Sequence, residues 1–319
     1  MKKLVSTVDL PFEDWLEYRK QGLGGSDASV VCGVNRYKSP VELFMEKTGQ
    51  LPYSEAGEAA YWGNVLEAVV RDEFTKRTGI EVMLVNEILQ HDDYPFMLAN
   101  VDGVCQHPNY GTCIFEAKTA GAFKLAEWET NSNGVGGKIP DEYLLQLQHY
   151  LAVTGYAGAY VAVLIGGNTF KWRFIERDEE LISMLISLES DFWEHVTNGE
   201  PPPLDGSDAS VKFLTEKFPE SSPQSQIALP DNAAELIRQY NEAAALEKQY
   251  KEQKQQAENL LKELLGDNEA GNVGGHSVSW KSQTQERLDT KTFKAEPPRL
   301  FKKYATQSSF RRFSIKESA

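Results

Sequence analysis

The sequence predicts a mixed α/β domain followed by an extension built around one long helix. Three observations predict this. Short apolar runs bounded by Gly, Pro, Asn or Asp recur between about residues 80 and 175. Segments of helical period lie before, between and after them. Finally, Asn198-Gly-Glu-Pro-Pro-Pro203 ends the last of those helices with residues that cannot continue it, which divides the chain into a domain over 1–203 and an extension over 204–319.

In order, the chain reads as a helical N-terminal part, strands over about 80–90, 97–106 and 112–119, and a helix over about 141–154. A strand over about 158–166, another from Phe170 to Ile175, and an amphipathic helix over about 178–197 complete the domain. In the extension, Pro230-Asp231 opens a stretch rich in Lys, Glu and Gln. There Leu236, Ala243, Leu246, Tyr250, Ala257, Leu260 and Leu264 recur near three-to-four spacing up to Gly266-Asp-Asn268. One helix of this length runs on the order of 50 Å, longer than a compact domain needs. A partner-binding arm and a plain packed helix explain it equally well. A Gly-rich turn and the strand-like Ser277-Val-Ser-Trp-Lys281 follow.

Composition sets the outer limits. The 319 residues are 41% hydrophobic and 25% charged, enough for one sizeable core and a smaller second module. No run approaches the roughly 18–20 apolar residues that span a bilayer, and Met1-Lys-Lys leads into no apolar signal core, so no membrane and a cytoplasmic location are expected. Cys32, Cys105 and Cys113 form no C-x-x-C pair, and free buried thiols are the expected state. The net charge of −14 argues against a protein that coats nucleic acid without selectivity. It leaves room for a chain that gathers its basic residues into one channel and its carboxylates around a cation.

The segment Met97-Leu-Ala-Asn-Val-Asp-Gly-Val-Cys105 sets one carboxylate, Asp102, among apolar residues. The next strand, Thr112-Cys-Ile-Phe-Glu-Ala-Lys-Thr119, carries Glu116 and Lys118 two residues apart, so strand alternation turns both to one side. A hairpin through Gln106–Gly111 brings Asp102 to face Glu116. Two carboxylates this close call for a cation, and an oxygen donor set suits Mg²⁺ or Mn²⁺. Lys118 beside them is placed to orient a water for attack on a phosphodiester. On spacing alone, an ordinary surface hairpin with a Glu–Lys pair is the commoner explanation. Two further elements add weight. Gly63-Asn-Val-Leu-Glu67 puts a carboxylate on an upstream helix, and Asp141-Glu-Tyr-Leu-Leu-Gln-Leu-Gln-His-Tyr150 puts Gln146 and Tyr150 at i and i+4 on one face.

Helix Glu, strand Asp, strand Glu-x-Lys and helix Gln in this order resemble the motifs of the restriction-endonuclease-like, PD-(D/E)XK nuclease superfamily. The fold this implies is a mixed central sheet flanked by helices. With Arg19-Lys-Gln-Gly-Leu-Gly-Gly-Ser-Asp27 and Tyr37-Lys-Ser-Pro-Val-Glu-Leu-Phe-Met-Glu-Lys-Thr-Gly49, the chain resembles, over roughly Phe12 to His195, the YqaJ-type, phage lambda exonuclease-like viral recombinase family. Phe310-Arg-Arg-Phe-Ser-Ile-Lys316 is similar to endings in that family.

The resemblance implies a 5′-to-3′ exonuclease that digests one strand of a linear duplex with one or two divalent ions. The 3′ overhangs it leaves would pass to a single-strand annealing protein of the RecT type. A homo-oligomer, suggested to be a ring-shaped trimer, is implied as well. By the same carry-over Asp102 and Glu116 are metal ligands, Glu67 contacts a metal or its water, and Lys118 activates the water. Gln146, or its neighbour Gln148, lies near that water, and Arg19 and Ser26 receive the 5′-phosphate. Taken alone, Ser26 or Asp27 reads as a helix cap and Arg19 as a surface residue.

Three features stay open. The tail interleaves Arg299, Lys302, Lys303, Arg311, Arg312 and Lys316 with Phe301, Tyr304, Phe310 and Phe313, a composition suited to DNA contact or to docking on the core. Asn131-Ser-Asn-Gly-Val-Gly-Gly137 reads as a loop that orders on DNA. An endonuclease on the same core and a non-catalytic DNA-end binding module are the competing functions. His149 and His195 show no ligand spacing and read as structural.

Overall fold

The computed structural model describes residues 1–51, 57–130, 134, 137–286, 289, 303–305, 313 and 315. Two compact units result, Met1–Lys217 and Phe218–Ala319. In the first, strand β1 (Lys2–Ser6) precedes helices α1 (Phe12–Lys20), α2 (Gly25–Val31), α3 (Pro40–Lys47) and α4 (Glu58–Thr78). Strands β2 (Val82–Met83), β3 (Glu87–Gln90), β4 (Leu98–Ala99), β5 (Gly103–His107) and β6 (Gly111–Ala120) follow. A 3-10 turn (Ala122–Glu127), β7 (Glu129–Thr130) and β8 (Gly137–Lys138) lead to α5 (Asp141–Thr154), β9 (Gly158–Ile165), β10 (Thr169–Glu176), α6 (Glu179–Asn198) and α7 (Asp208–Lys217). No described helix is long and apolar enough to cross a membrane.

The main sheet has the order β10-β9-β6-β5-β2, antiparallel except for β6 beside β9. Its parallel neighbours are joined by a crossover that includes α5, as parallel pairing requires. One face packs Ile114, Val161 and Val163 against Leu147 and Leu151 of α5 and against Trp128. The other packs Cys113, Phe115 and Tyr160 against Val70 and Phe74 of α4. A mixed central sheet between helices is the architecture expected from the sequence. Cys105 and Cys113 face each other across β5 and β6 as buried free thiols.

Two departures from the expected elements matter. The N-terminal part is not wholly helical: β1 pairs with β3, and these two with β4 form a separate three-stranded sheet. Lys-Lys-Leu-Val-Ser is too short and too little buried to announce a strand. The runs over 80–90 and 97–106 each break between that small sheet and the main one. The second breaks around Asp102, because Gly103 lies against β2: a Cβ there would stand 2.8 Å from the Met83 carbonyl oxygen and 2.6 Å from Val82. Past the proline run the first unit continues through α7, whose Ala209 and Phe213 are buried.

In the second unit, α8 (Ala233–Leu265) is followed by the hairpin β11 (Ala270–Val273) and β12 (His276–Ser279). The long helix and the strand near Ser277 thus lie where the sequence places them. Gly266 ends the helix, its amide bonding back to the carbonyls of Lys262 and Glu263. Of the tail residues singled out above, Lys303, Tyr304 and Phe313 are described; the others, and most of the 131–137 loop, lie outside the described residues.

Helix α5 is locked in place by a buried ion pair. His149 Nδ1 lies 2.8 Å from Glu189 of α6 and its Nε2 lies 2.9 Å from the Leu98 carbonyl oxygen, with His149 and Glu189 both fully buried. Burial pulls the imidazole pKa down, but the Glu189 carboxylate and the Leu98 carbonyl outweigh it and hold it above its ordinary 6.5. Its stabilisation is therefore fully present below the unfolded pKa and is lost as pH rises through the folded one. Glu189→Ala removes the group that holds the buried imidazole protonated and leaves its Nδ1 without this partner, and is expected to cost roughly 3–5 kcal/mol. Urea unfolding should show this cost shrinking as pH rises through the raised imidazole titration.

Candidate active site

The β5–β6 register pairs Gly103 with Phe115, so the residue before β5 stands opposite the residue after Phe115. Asp102 therefore faces Glu116, and its Oδ2 accepts the Ala117 amide at 2.8 Å. Strand alternation turns Glu116 and Lys118 to the same side, where Lys118 Nζ donates to Glu116 Oε1 at 2.7 Å. From α5, Gln146 Nε2 donates to that same oxygen at 2.7 Å and lies 3.2 Å from the Tyr150 hydroxyl. Glu67 projects from α4 into the same cleft, of about 450 Å³, lined also by Asn64, Thr119 and Tyr143.

The electrostatics of this cluster are one-sided. Burial, then the neighbouring Asp102, pushes the Glu116 carboxyl up to about 8 despite its contact with Lys118. Burial also raises Asp102, against the pull of Lys118 and the Ala117 amide. Glu67 is raised by burial and by Asp102. For Lys118, burial favours the neutral amine, but Glu116 and Asp102 prevail and hold its pKa above the ordinary lysine value. Glu116 Oε2 is buried with no hydrogen-bond partner among the described residues.

An orphaned carboxylate oxygen, with two further carboxylates on the same cleft, is a donor set that fits a hard divalent cation. Among the described residues, no three His, Cys, Asp or Glu side chains gather as a ready-made cage.

The second predicted group also comes together. Arg19 Nη2 lies 3.4 Å from Ser26 Oγ and 3.2 Å from Asp27 Oδ1, with the guanidinium 5.1 Å from the centre of the Trp15 ring. Arg19, Ser26 and Trp15, with Gly24, Gly25, Asn100 and Tyr150, surround a pocket of about 80 Å³. That is well below the roughly 300–1,000 Å³ of a drug-sized site, so it suits a small group. Gly25 makes the closeness possible, since a Cβ there would fall 2.4 Å from the Tyr150 ring. The helix cap is Gly24 rather than Ser26, and Asp27 completes it by accepting the Gly24 amide at 3.0 Å.

The two glutamines face different partners. Gln146 reaches Glu116, whereas Gln148 donates to the Glu176 carbonyl at 2.7 Å and accepts the Asp178 amide at 3.0 Å, joining α5 to the start of α6. His195, whose Nδ1 lies 3.1 Å from the Glu200 carbonyl oxygen, stands at the end of α6. Three residues had not been singled out. Arg71, four residues beyond Glu67 on α4, draws both Glu67 and Asp102 downward. Tyr143, three before Gln146, sets its ring 5.1 Å from Lys118 Nζ. Lys47 is the third, a buried partner of Asp27 at 2.8 Å. Helical spacing was the available signal for the first two; none existed for Lys47.

A mixed sheet whose hairpin delivers Asp and Glu-x-Lys to a cleft walled by a helix Glu is the arrangement expected from the order of the sequence motifs. Residues 14–157 match the YqaJ-like viral recombinase domain. The protein YqaJ of Bacillus subtilis (strain 168) is 41% identical over 318 residues, which is 98% of this chain and 97% of that protein. The chain belongs to the YqaJ-like viral recombinase family. A protein of Acanthamoeba polyphaga mimivirus is 30% identical over 165 residues, 48% of this chain and 28% of its own length. Among solved structures, an alkaline exonuclease from Laribacter hongkongensis aligns with TM-score 0.46 and 22% identity over 64% of this chain and 97% of that one. A phage related exonuclease from Haemophilus somnus 129PT aligns with TM-score 0.43 and 14% identity over 56% and 94%.

The two glutamines should separate by mutation. Gln148→Ala removes its bonds to Glu176 and Asp178, each worth about 0.5–1.5 kcal/mol, and is expected to cost about 1–3 kcal/mol in chemical denaturation, with the Glu116 cluster untouched. Gln146→Ala should leave the denaturation midpoint closer to wild type and change the behaviour of the cluster.

Proposed function

We propose that the chain is a metal-dependent 5′-to-3′ exonuclease acting on the ends of linear double-stranded DNA. The observation that carries this reading is that Tyr150 belongs to two places at once. Its ring lines the Arg19–Ser26 pocket, and its hydroxyl meets Gln146 of the Glu116–Lys118 network. A small cationic pocket beside a carboxylate–lysine cluster suits a strand that begins there, with its terminal phosphate seated on Arg19 and Ser26. Membership of a viral recombinase family agrees with DNA as the substrate and with recombination as the setting.

Asp102, Glu116 and Glu67 would hold Mg²⁺ or Mn²⁺, as one or two ions. Such an ion would act as a Lewis acid on the phosphodiester and would favour the ionised form of carboxyls that now lie high. The protein's own groups divide the remaining work. Gln146 spends its amide nitrogen on Glu116 and Tyr150, which leaves its carbonyl oxygen to accept a hydrogen bond from the attacking water and so orient it. Lys118 orients that water and stabilises charge as it develops on the phosphoryl oxygens. Arg19 offers a planar pair of donors suited to a phosphate, and Ser26 a hydroxyl. The 3′ overhang would pass to a single-strand annealing protein of the RecT type. The acting form is a homo-oligomer, with a ring-shaped trimer as the proposed arrangement, working in the cytoplasm.

Digestion in Mg²⁺ of linear duplexes labelled at each end, with and without a 5′-phosphate and beside a closed circle, tests the reading. Stepwise loss from 5′-phosphorylated ends with the circle intact is expected. Cutting of the circle would establish an endonuclease instead, and no cutting in Mg²⁺ or Mn²⁺ a DNA-end binding module. Lys118→Ala should lower turnover by roughly 10²–10³-fold while DNA binding, read by filter retention, persists.

A further inference from the structure

Behind Arg19 of the Arg19–Ser26 pocket lies a buried Asp27–Lys47 pair to which the proposed function gives no role. Asp27 accepts from Arg19 Nη2 at 3.2 Å, from Lys47 Nζ at 2.8 Å and from the Gly24 amide at 3.0 Å. Lys47 Nζ donates in addition to the backbone carbonyl of Arg19 at 2.8 Å. Asp27 and Lys47 side chains are 6% and 5% exposed, Arg19 23%. Burial would raise the Asp27 carboxyl, but Lys47 and then Arg19 overcome it and hold the group far below the usual carboxylate range, so it is ionised.

An arginine paired with one buried carboxylate carries no net charge. In a poorly screened interior, a phosphate arriving at such a pair would meet the carboxylate's repulsion along with the guanidinium's attraction. The second cation changes that sum. Arg19, Asp27 and Lys47 together carry +1 − 1 + 1 = +1, and only Arg19 of the three lines the pocket. Asp27 can thus fix the guanidinium beside Ser26 without cancelling it.

We infer that Lys47 is a positioning and charge-setting residue for 5′-phosphate recognition, acting through Asp27 and Arg19 from a place where it cannot touch DNA. The inference rests on the proposed seat of the terminal phosphate at Arg19 and Ser26. Lys47→Met keeps the aliphatic stem and drops the triad to zero. Asp27→Asn combined with Lys47→Met restores +1, keeps an acceptor for Arg19, and removes both members of the buried pair, a change that buried ion pairs tolerate far better than loss of one member.

The experiment is steady-state digestion of 5′-phosphorylated and 5′-hydroxyl linear duplex by the full chain in Mg²⁺, with KM and kcat separated. K47M should raise KM for the phosphorylated end by roughly tenfold or more, the scale of one charged hydrogen bond. Its kcat and its KM for the hydroxyl end should stay near wild type, the latter also reporting that the variant is folded. The double variant should recover most of the lost preference. Wild-type preference in K47M would overturn the inference, and so would a double variant no better than the single one, which is what a purely structural role predicts. A wild-type enzyme that digests both ends alike would instead remove the phosphate seat, and the inference with it, before any variant is made.

Discussion

A carboxylate buried in a sheet must have its charge answered by groups that its own strand cannot wholly supply, and Glu116 is the residue around which this fold is arranged. Lys118 answers from the same strand by the two-residue pleat, and Gln146 answers from α5. Asp102, delivered by the hairpin register, adds negative charge instead of removing it. One Glu116 oxygen is therefore shared by two donors while the other has none among the described residues. Burial, with Asp102 beside it, is why the acid is displaced so far from its ordinary value.

The parts of this site that depend on short-range periodicity were legible in the sequence. Glu116 and Lys118 had to share a face, and a turn ending in Gly111 had to bring Asp102 back opposite them. Glu67 was legible only through the order of motifs, since a lone Glu on a mostly exposed helix carries no signal of its own. Gln146 and Gln148 differ by about 200° around α5, yet nothing local says which side faces the cleft; the packing of α5 between the sheet, α2 and α6 decides it. Ser26 or Asp27 was legible as a cap, and Asp27 completes the cap that Gly24 forms, but its partner Lys47 comes from another helix twenty residues on. Such a contact follows from tertiary packing and leaves no trace in spacing. The strand β1 escaped for the opposite reason: its pairing with β3 joins residues more than eighty positions apart.

The net charge of −14 looks unfavourable for a protein of DNA, but a total counts every charge equally whereas a field does not. The cations of the site are few and partly or wholly withdrawn from water. Lys118 is held among carboxylates, Arg71 sits beside Glu67 and Asp102, and Arg19 is seated on a buried carboxylate. In a medium of low effective dielectric each acts at longer range than an exposed lysine would. Much of the acidic surface, by contrast, is solvated and screened. Composition lowers the expectation of non-selective coating while leaving a local site intact.

The geometry of α5 ties these pieces together. Within five consecutive residues it sends Gln146 to the Glu116 cluster, Gln148 to the start of α6, His149 to Glu189 and Leu98, and Tyr150 to the Arg19–Ser26 pocket. Successive residues turn by about 100°, so a helix can serve four directions in so short a stretch only if it is surrounded, and from Leu145 to Thr154 every residue is buried. The His149–Glu189 pair and the two bonds of Gln148 then fix both the rotation and the depth of the helix. Under the proposed function, the distance from terminal phosphate to reacting bond is set by the single turn between Gln146 and Tyr150. A rotation small enough to keep the hydrophobic contacts of Leu147 and Leu151 would still pull Gln146 off Glu116 and Tyr150 off Gly25. Under that proposal, cleavage register is a property of core packing, held by His149, Glu189 and Gln148.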